Sequence, residues 1–299
     1  MRRRPRLRSL LLAAGLAAGD LVVVQAIESA GLTFDTLEGA GWSVHDASAR
    51  LDWLDRQRAR LQLDAAVAVL PEPIGTLTAV SISCALAEFD AGRVRCDRAQ
   101  IRADSEGLGR QAIVAGFDYT VASGRLAFRL DDVRLAGGRL AASGTVESPA
   151  WKVRLQGHGL QLDALARALS AAGVALPHLD AGGSLDVTAR LQGAAAGLGR
   201  GWLTAQLAAE SFSDEAGALA GENLALQLEA ELLQSGGRWQ VQAGLQGVQG
   251  QLYVEPVFLD LDTQPVHATA TLDWQPGPGR LVIRSLDYRQ QDAVTLRLS

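Results

Sequence analysis

Two cysteines, four histidines and a set of paired acids are the residues of this chain whose types could do chemistry. Both cysteines lie in "ISCALAEFDAGRVRC", residues 82–96, as Cys84 and Cys96. A zinc site needs four ligands, and no third or fourth Cys or His stands at finger spacing. A redox pair calls for Cys-x-x-Cys or a neighbourhood that stabilises a thiolate, and neither is evident. A structural disulfide needs only two strands that bring the Cβ atoms together. Ile82, Cys84 and Leu86 alternate with small or polar residues, as do Val94 and Cys96. The spacing predicts a hairpin with Cys84 opposite Cys96, Leu86 opposite Val94 and Glu88 opposite Gly92, around a loop of Phe89, Asp90 and Ala91. Both sulfurs then fall on one face, as a disulfide requires.

His45, His158, His178 and His267 are scattered and form no HExxH or other paired motif. His45-Asp46 resembles an acid–base couple, but adjacent residues of a strand point to opposite faces. Asp131-Asp132 and the acids of "ENLALQLEAE" could ligate calcium; as strand residues they read better as solvated faces. There is no Walker loop and no GxSxG, and "GLGRG" (197–201) lacks the strand–loop–helix setting of a phosphate cradle. The sequence supplies no catalytic constellation, metal site or cofactor site, so a non-enzymatic role is expected.

The elements that must hold these residues are strands. "RLQLDAAVAVL" (60–70) places Leu61, Leu63, Ala65, Val67 and Val69 on one face. "GRLAFRLDDVRL" (124–135) does the same with Leu126, Phe128 and Leu130, then changes phase at Asp131-Asp132, as a bulge would. Runs at 184–192, 222–233, 238–246 and 280–288 continue the period of two, which marks half-buried antiparallel strands. Gly-Arg begins a strand after Gly92, Gly124, Gly138, Gly237 and Gly279, a recurrent turn device. One internal segment has helical period: "LDALARALSAAG" (162–173), with Asp163 as N-cap and Gly173 at its end. "LPEPIG" and "WQPGPGR" are proline-rich breaks.

The chain carries a formal charge of −5, although its first eight residues hold five arginines, so the remainder is near −10. An acidic body with scattered basic residues argues against nucleic-acid binding. "MRRRPRLR" is followed by "SLLLAAGLAAG", Asp20 and "LVVVQA". This is a charged region, an apolar run and a small-residue site at Ala26. A cleaved signal peptide and a retained signal anchor both fit residues 1–27. Either keeps the arginines in the cytoplasm and exports the rest, where oxidation of the two cysteines is expected. The expected order is residues 1–27 as signal or anchor, 28–160 as a first β segment, 161–175 as a short helix and 176–299 as a second β segment.

Such a sheet can close into a filled sandwich or stay open as a groove with an apolar inner face, and composition alone favours the sandwich. The Arg-rich N-terminal apolar segment, "LTFDTLEGAGWSVHDASARLDW" (32–53) and the succession of "GR-L-x-L" strands resemble the AsmA-like proteins of Gram-negative envelopes. "ARLQLDAAVAVLPEPIGTLTAVSISC" (59–84) and "GQLYVEPVFLDLDTQPVHATATLDW" (250–274) are most similar to the YdbH branch. The resemblance implies an all-β fold: a long twisted antiparallel sheet forming an open, taco-shaped groove, with an N-terminal membrane or signal helix and one short internal helix. It also implies anchoring in the inner membrane, a periplasmic body, phospholipid acyl chains as ligand, a possible outer-membrane or periplasmic partner protein, and no catalytic residues. The groove lining is then expected at Leu61, Leu63, Val67, Val69, Leu126, Phe128 and Leu130. Proteins of this group are usually much longer, which makes the chain a short relative, an N-terminal portion or part of a multi-chain conduit. A second resemblance, of "LEGAGWSVHDASARLDW" to the early strands of type II secretion protein N, implies a structural role in secretion instead.

Overall fold

The computed structural model describes residues 28–39, 42–70, 75–105, 109–171, 179–194, 197–214, 216–275, 280–290 and 294–298. The N-terminal signal or anchor segment, His178 and the centres of both proline-rich breaks lie outside them. Among the described residues no helix is long and apolar enough to cross a membrane.

Among the described residues seventeen strands form one antiparallel sheet. In chain order they are β1 (Ser29–Gly39), β2 (Trp42–Trp53), β3 (Arg58–Val69), β4 (Thr76–Asp90), β5 (Arg93–Ser105), β6 (Gly109–Thr120), β7 (Arg125–Leu135), β8 (Gly138–Glu147) and β9 (Ala150–Gln161). After the helix α1 (Leu162–Ala171) come β10 (Leu179–Ala194), β11 (Gly197–Asp214), β12 (Leu219–Ser235), β13 (Arg238–Val254), β14 (Val257–Asp260), β15 (Val266–Gln275), β16 (Arg280–Gln290) and β17 (Val294–Leu298). Each strand pairs with its successor, and β14 is a short flap on the end of β13, which continues to β15. β9 pairs with β10 across the helix, so the sheet runs through that point without a break. Strands β1 and β17 are its open edges, bonded to β2 and β16.

The turns follow from residues that tolerate positive φ. Ala136-Gly137 (φ 47° and 75°) and Gly236-Gly237 (φ 59° and 75°) join β7 to β8 and β12 to β13 in two residues, the twist a tight hairpin needs. Asp132 (φ 60°) sits in the bulge expected at Asp131-Asp132, where the pairing with β8 shifts between Leu130 and Val133. Ala79 (φ 49°) and Asn223 (φ 52°) mark further bulges in β4 and β12. Each extra residue bends its strand and strengthens the twist, so the sheet coils instead of lying flat.

Burial shows how far the sheet closes. Among the described residues fifteen apolar side chains are buried, and nine of these are alanines. Two separate cores hold most of the rest. One centres on Cys84, Ala87, Cys96, Ala99 and Ala115, with Leu61, Ile82, Phe117 and Leu130 packed around it. The other centres on Ala209, Leu224, Leu261 and Val266, with Leu162 of α1 against it. Neither draws residues from both halves of the chain, whereas a filled sandwich would join them in one contiguous core. The sheet is open, and its small residues are covered by larger neighbours on the same face.

Candidate functional site

The disulfide links Cys84 to Cys96, with Cα atoms 6.3 Å apart. Its setting differs from the expected hairpin. The turn has two residues, Ala91 and Gly92 (φ 86°), so that Phe89 faces Val94 and Ala87 faces Cys96. Cys84 faces Ala99, and the bridge runs diagonally. Simple alternation around this turn would put Cys84 and Cys96 on opposite faces. Each strand instead carries one extra residue at the same place, Ala85-Leu86 in β4 and Asp97-Arg98 in β5, which shifts the register against β3 and against β6. The paired bulges return Cys84 to the face of Cys96 and push Leu86 outward, where it is 46% exposed.

The two cysteines stand in two neighbouring rows that cross the sheet from strand to strand. The Cys84 row begins Ala30, Leu51, Leu61, Cys84, Ala99, Ala115, Leu130, Ala142. It continues Leu155, Ala189, Leu203, Ala230, Ala243, Ala270, Leu286, Leu298. Every strand except β14 contributes one residue, and none is polar. The Cys96 row runs from Trp53 and Ala59 through Ala87, Cys96, Phe117, Phe128, Gly144, Val153 and Leu191. It ends with Gly201, Leu232, Val241, Leu272 and Ile283, again without a polar side chain. The Phe128 ring lies over Gly144, where an added Cβ would come within 3.0 Å of it and would also press on the Lys152 carbonyl oxygen. With neighbouring strands about 4.8 Å apart, the track is roughly 70 Å long.

Five of the seven expected lining residues belong to this tract. Leu61 and Leu130 are in the Cys84 row, and Phe128 is in the Cys96 row. Leu126 lies beside Phe128 and faces Tyr119 and Val146, and Leu63 joins Ile82 and Ile101 one row further on. Val67 and Val69 lie where the row turns polar, facing His45 and Thr78, and Ser43 and Thr76. The apolar register there passes to Leu37, Val44, the buried Ala68 and Leu77. The larger omission from the expected lining is the whole second half, Val153 to Leu298. Its alternation was visible in the runs at 184–192 and 222–246, but which residues share a row depends on registers that alternation alone does not fix.

The opposite face is polar and self-neutralised. Arg93 bonds to Asp118, Arg95 to Asp97 at 2.8 Å, Arg129 to Asp131 at 2.9 Å, and Arg289 and Arg297 both to Asp287 at 2.9 Å. The Arg93 guanidinium holds the Asp118 carboxyl below the usual range, and Arg289 with Arg297 does the same to Asp287. Asp132 reaches Arg139 at 3.4 Å, and Glu231 reaches Arg200 at 3.5 Å. Among the described residues no three His, Cys, Asp or Glu side chains group as a metal site.

His45 is held between two hydroxyls, Thr36 Oγ1 at 3.3 Å from Nδ1 and Ser43 Oγ at 3.1 Å from Nε2. His158 is exposed, with Nδ1 3.7 Å from Asp186. His267 lines a hollow of about 550 Å³ with Asp287 and Arg289. A hollow of about 670 Å³ around Lys152, Arg154, Arg190 and Trp202 is wide and open.

No family model, curated protein or solved structure matches the chain. The geometry therefore carries the functional argument: a long apolar track on one face of an open sheet, with charge confined to the other.

Proposed function

We propose that this chain is a non-enzymatic β-groove of the cell envelope that holds phospholipid acyl chains along its apolar face and conducts them between inner and outer membranes. The observation that carries the reading is the Cys84 row, sixteen consecutive cross-strand positions occupied only by Ala, Leu and Cys. An acyl chain needs a smooth apolar wall and no hydrogen-bond partners, and small aliphatic side chains provide that without pockets that would trap it. The row is exposed at its two ends, Ala30 and Leu298, and half-buried or buried between them; an apolar strip unbroken across one open sheet, from edge to edge, is what a binding surface for apolar chains requires. The track is several times the length of one acyl chain, about 15 Å for half a bilayer core, so it has room for a file of lipids side by side.

Membership of the AsmA-like group is part of this proposal, as are anchoring through residues 1–27 and a periplasmic location. The disulfide supports an oxidising compartment. Lipid extraction and mass spectrometry of the full chain, purified in a detergent that lipids outcompete, tests the reading. Phospholipid recovered in stoichiometric or greater amount is the expected result. A chain that never carries lipid, even after incubation with vesicles, sinks it.

A further inference from the structure

The two long margins of the apolar face are chemically unlike. One margin is formed by the C-terminal ends of β2, β4, β6, β8, β10, β12 and β15 and by the strands that return from them. Along it, on the apolar face, stand Trp53, Phe89, Tyr119, Trp151, Trp239 and Trp274. The Trp53 and Phe89 rings lie 5.1 Å apart, Tyr119 faces Val94 and Leu126, Trp151 faces Val146 and Gly193, and Trp239 faces Trp274. Tyr119 and Trp274 are exposed, at 38% and 44%. Five of the seven strands that return from this margin begin with arginine: Arg58, Arg93, Arg125, Arg238 and Arg280.

The other margin differs in degree: on this face it carries Trp42, Phe212 and Tyr288, the last two packed into the second core, and Arg110, Arg134 and Arg139 stand along its first half. Over the second half of the sheet it is folded in, with Leu162 and Leu261 packed against Ala209, Leu224 and Val266, and Leu261 only 1% exposed. Over that half its charges are mainly acidic, Glu210, Asp214, Glu222, Glu255, Asp260 and Asp262, with Arg289 bonded to Asp287 near the end of β16. Between Arg200 and Arg280 the only arginine or lysine is Arg238, which lies on the aromatic margin.

We infer that the margin bearing Trp53, Phe89, Tyr119, Trp151, Trp239 and Trp274 is the one along which the headgroup–acyl boundary of a bound phospholipid travels, with its chains running down the strands into the groove. This deepens the lipid-groove reading and rests on it. Indole and phenol rings settle where apolar and polar surroundings meet, because one end of each is apolar and the other takes a hydrogen bond. Arg58, Arg93 and Arg238 bond to Asp55, Asp118 and Asp273 at this edge; a phosphate diester would meet them by exchanging with those exposed or edge carboxylates, the aliphatic stems letting the guanidinium groups reach around the edge. Over the second half of the sheet the acidic, folded-in margin disfavours the same phosphate.

Photocrosslinking of the native full chain with two phosphatidylethanolamine probes tests the assignment. One carries a diazirine on the headgroup, the other a diazirine at the acyl chain end. Peptide mapping should place the headgroup adducts in 52–60, 88–95, 118–126 and 234–240, several-fold above those in 208–224 and 252–265, with chain-end adducts on the floor rows. Headgroup adducts equal on both margins, or richer on the acidic one, overturn the assignment while leaving lipid carriage standing if the chain-end probe still labels the floor. Absence of adducts from both probes overturns the lipid-groove reading and this inference together.

Discussion

The side chain of Gln111 pairs with the backbone of Arg134 as a strand residue would. Its Nε2 donates to the Arg134 carbonyl and its Oε1 accepts from the Arg134 N–H, both at 3.1 Å. The Asp131-Asp132 bulge ends the ladder between β6 and β7, since no backbone pairing runs beyond Val114 and Asp131. A glutamine amide has the donor and acceptor of a peptide group, so it fills the gap and keeps β7 attached. Gln111 is 3% exposed, which leaves water little access to those groups if the amide is lost. Gln111→Leu should destabilise by about 1–3 kcal/mol, the cost of leaving a buried backbone donor or acceptor unmet. Urea denaturation would measure it, and an unchanged midpoint would show that the amide merely fills space.

The disulfide depends on the paired bulges. Removing Leu86 alone restores simple alternation in β4 and carries Cys84 to the other face. The variant should yield two alkylatable thiols under oxidising conditions, whereas the native chain yields none. A bridged deletion variant would contradict the register argument. Replacing both cysteines by alanine should cost about 3 kcal/mol, the loop-entropy value for a closure of this size, without removing any bound lipid.

Acid should weaken the fold through the polar face. The carboxyls of Asp55, Asp118 and Asp287 are lowered, Asp55 chiefly by the Gln57 backbone N–H, Asp118 by Arg93, and Asp287 by Arg289 and Arg297. Groups whose folded pKa lies below the unfolded value contribute stability that is present above about pH 4 and lost as pH falls through the folded value. Asp55 is exposed and Asp118 and Asp287 are half-buried at the surface, so the contribution is modest and salt-sensitive. Asp118→Asn should flatten the acid limb of a plot of urea midpoint against pH. A variant with the native slope would show that this carboxylate is not among the responsible groups.

Much of the fold was legible in the sequence because alternation, Gly-Arg turns and the amphipathic segment at 162–173 each have a direct local cause, although Asp163, expected as N-cap, stands inside the first turn of α1 and bonds to Arg167. The bulge at Asp131-Asp132 announced itself by a change of phase between Leu130 and Val133. The bulges at Ala85-Leu86 and Asp97-Arg98 gave no such sign, since neither contains glycine and Leu86 continues the apolar alternation from Cys84. That hidden residue is why the right cysteine pair was expected in the wrong register. The lining of the second half was obscured similarly: a row across many strands accumulates every bulge between them, and Asn223 and Gly183 sit at shifts with no apolar signature.

Export can be checked independently of lipid. With five arginines before the apolar stretch of residues 1–27, a reporter fused after Arg60 should be active only when periplasmic. Cytoplasmic activity would remove both the envelope location and the reason for the cysteines to be oxidised in the cell.

If the apolar face is an open lipid track and not a core, it should tolerate a charge and lose its lipid. Phe128→Asp places a carboxylate in the middle of the Cys96 row, next to Phe117 and Gly144. In a sealed core an unpaired carboxylate would cost about 3–5 kcal/mol or more; on an open face it stays hydrated but spoils the wall for acyl chains. The decisive measurement is phospholipid bound per folded chain in wild type and Phe128→Asp, with folding followed by circular dichroism on the same samples. A folded variant that has lost most of its lipid is the expected result. An unfolded variant, or a folded one carrying as much lipid as wild type, would contradict it.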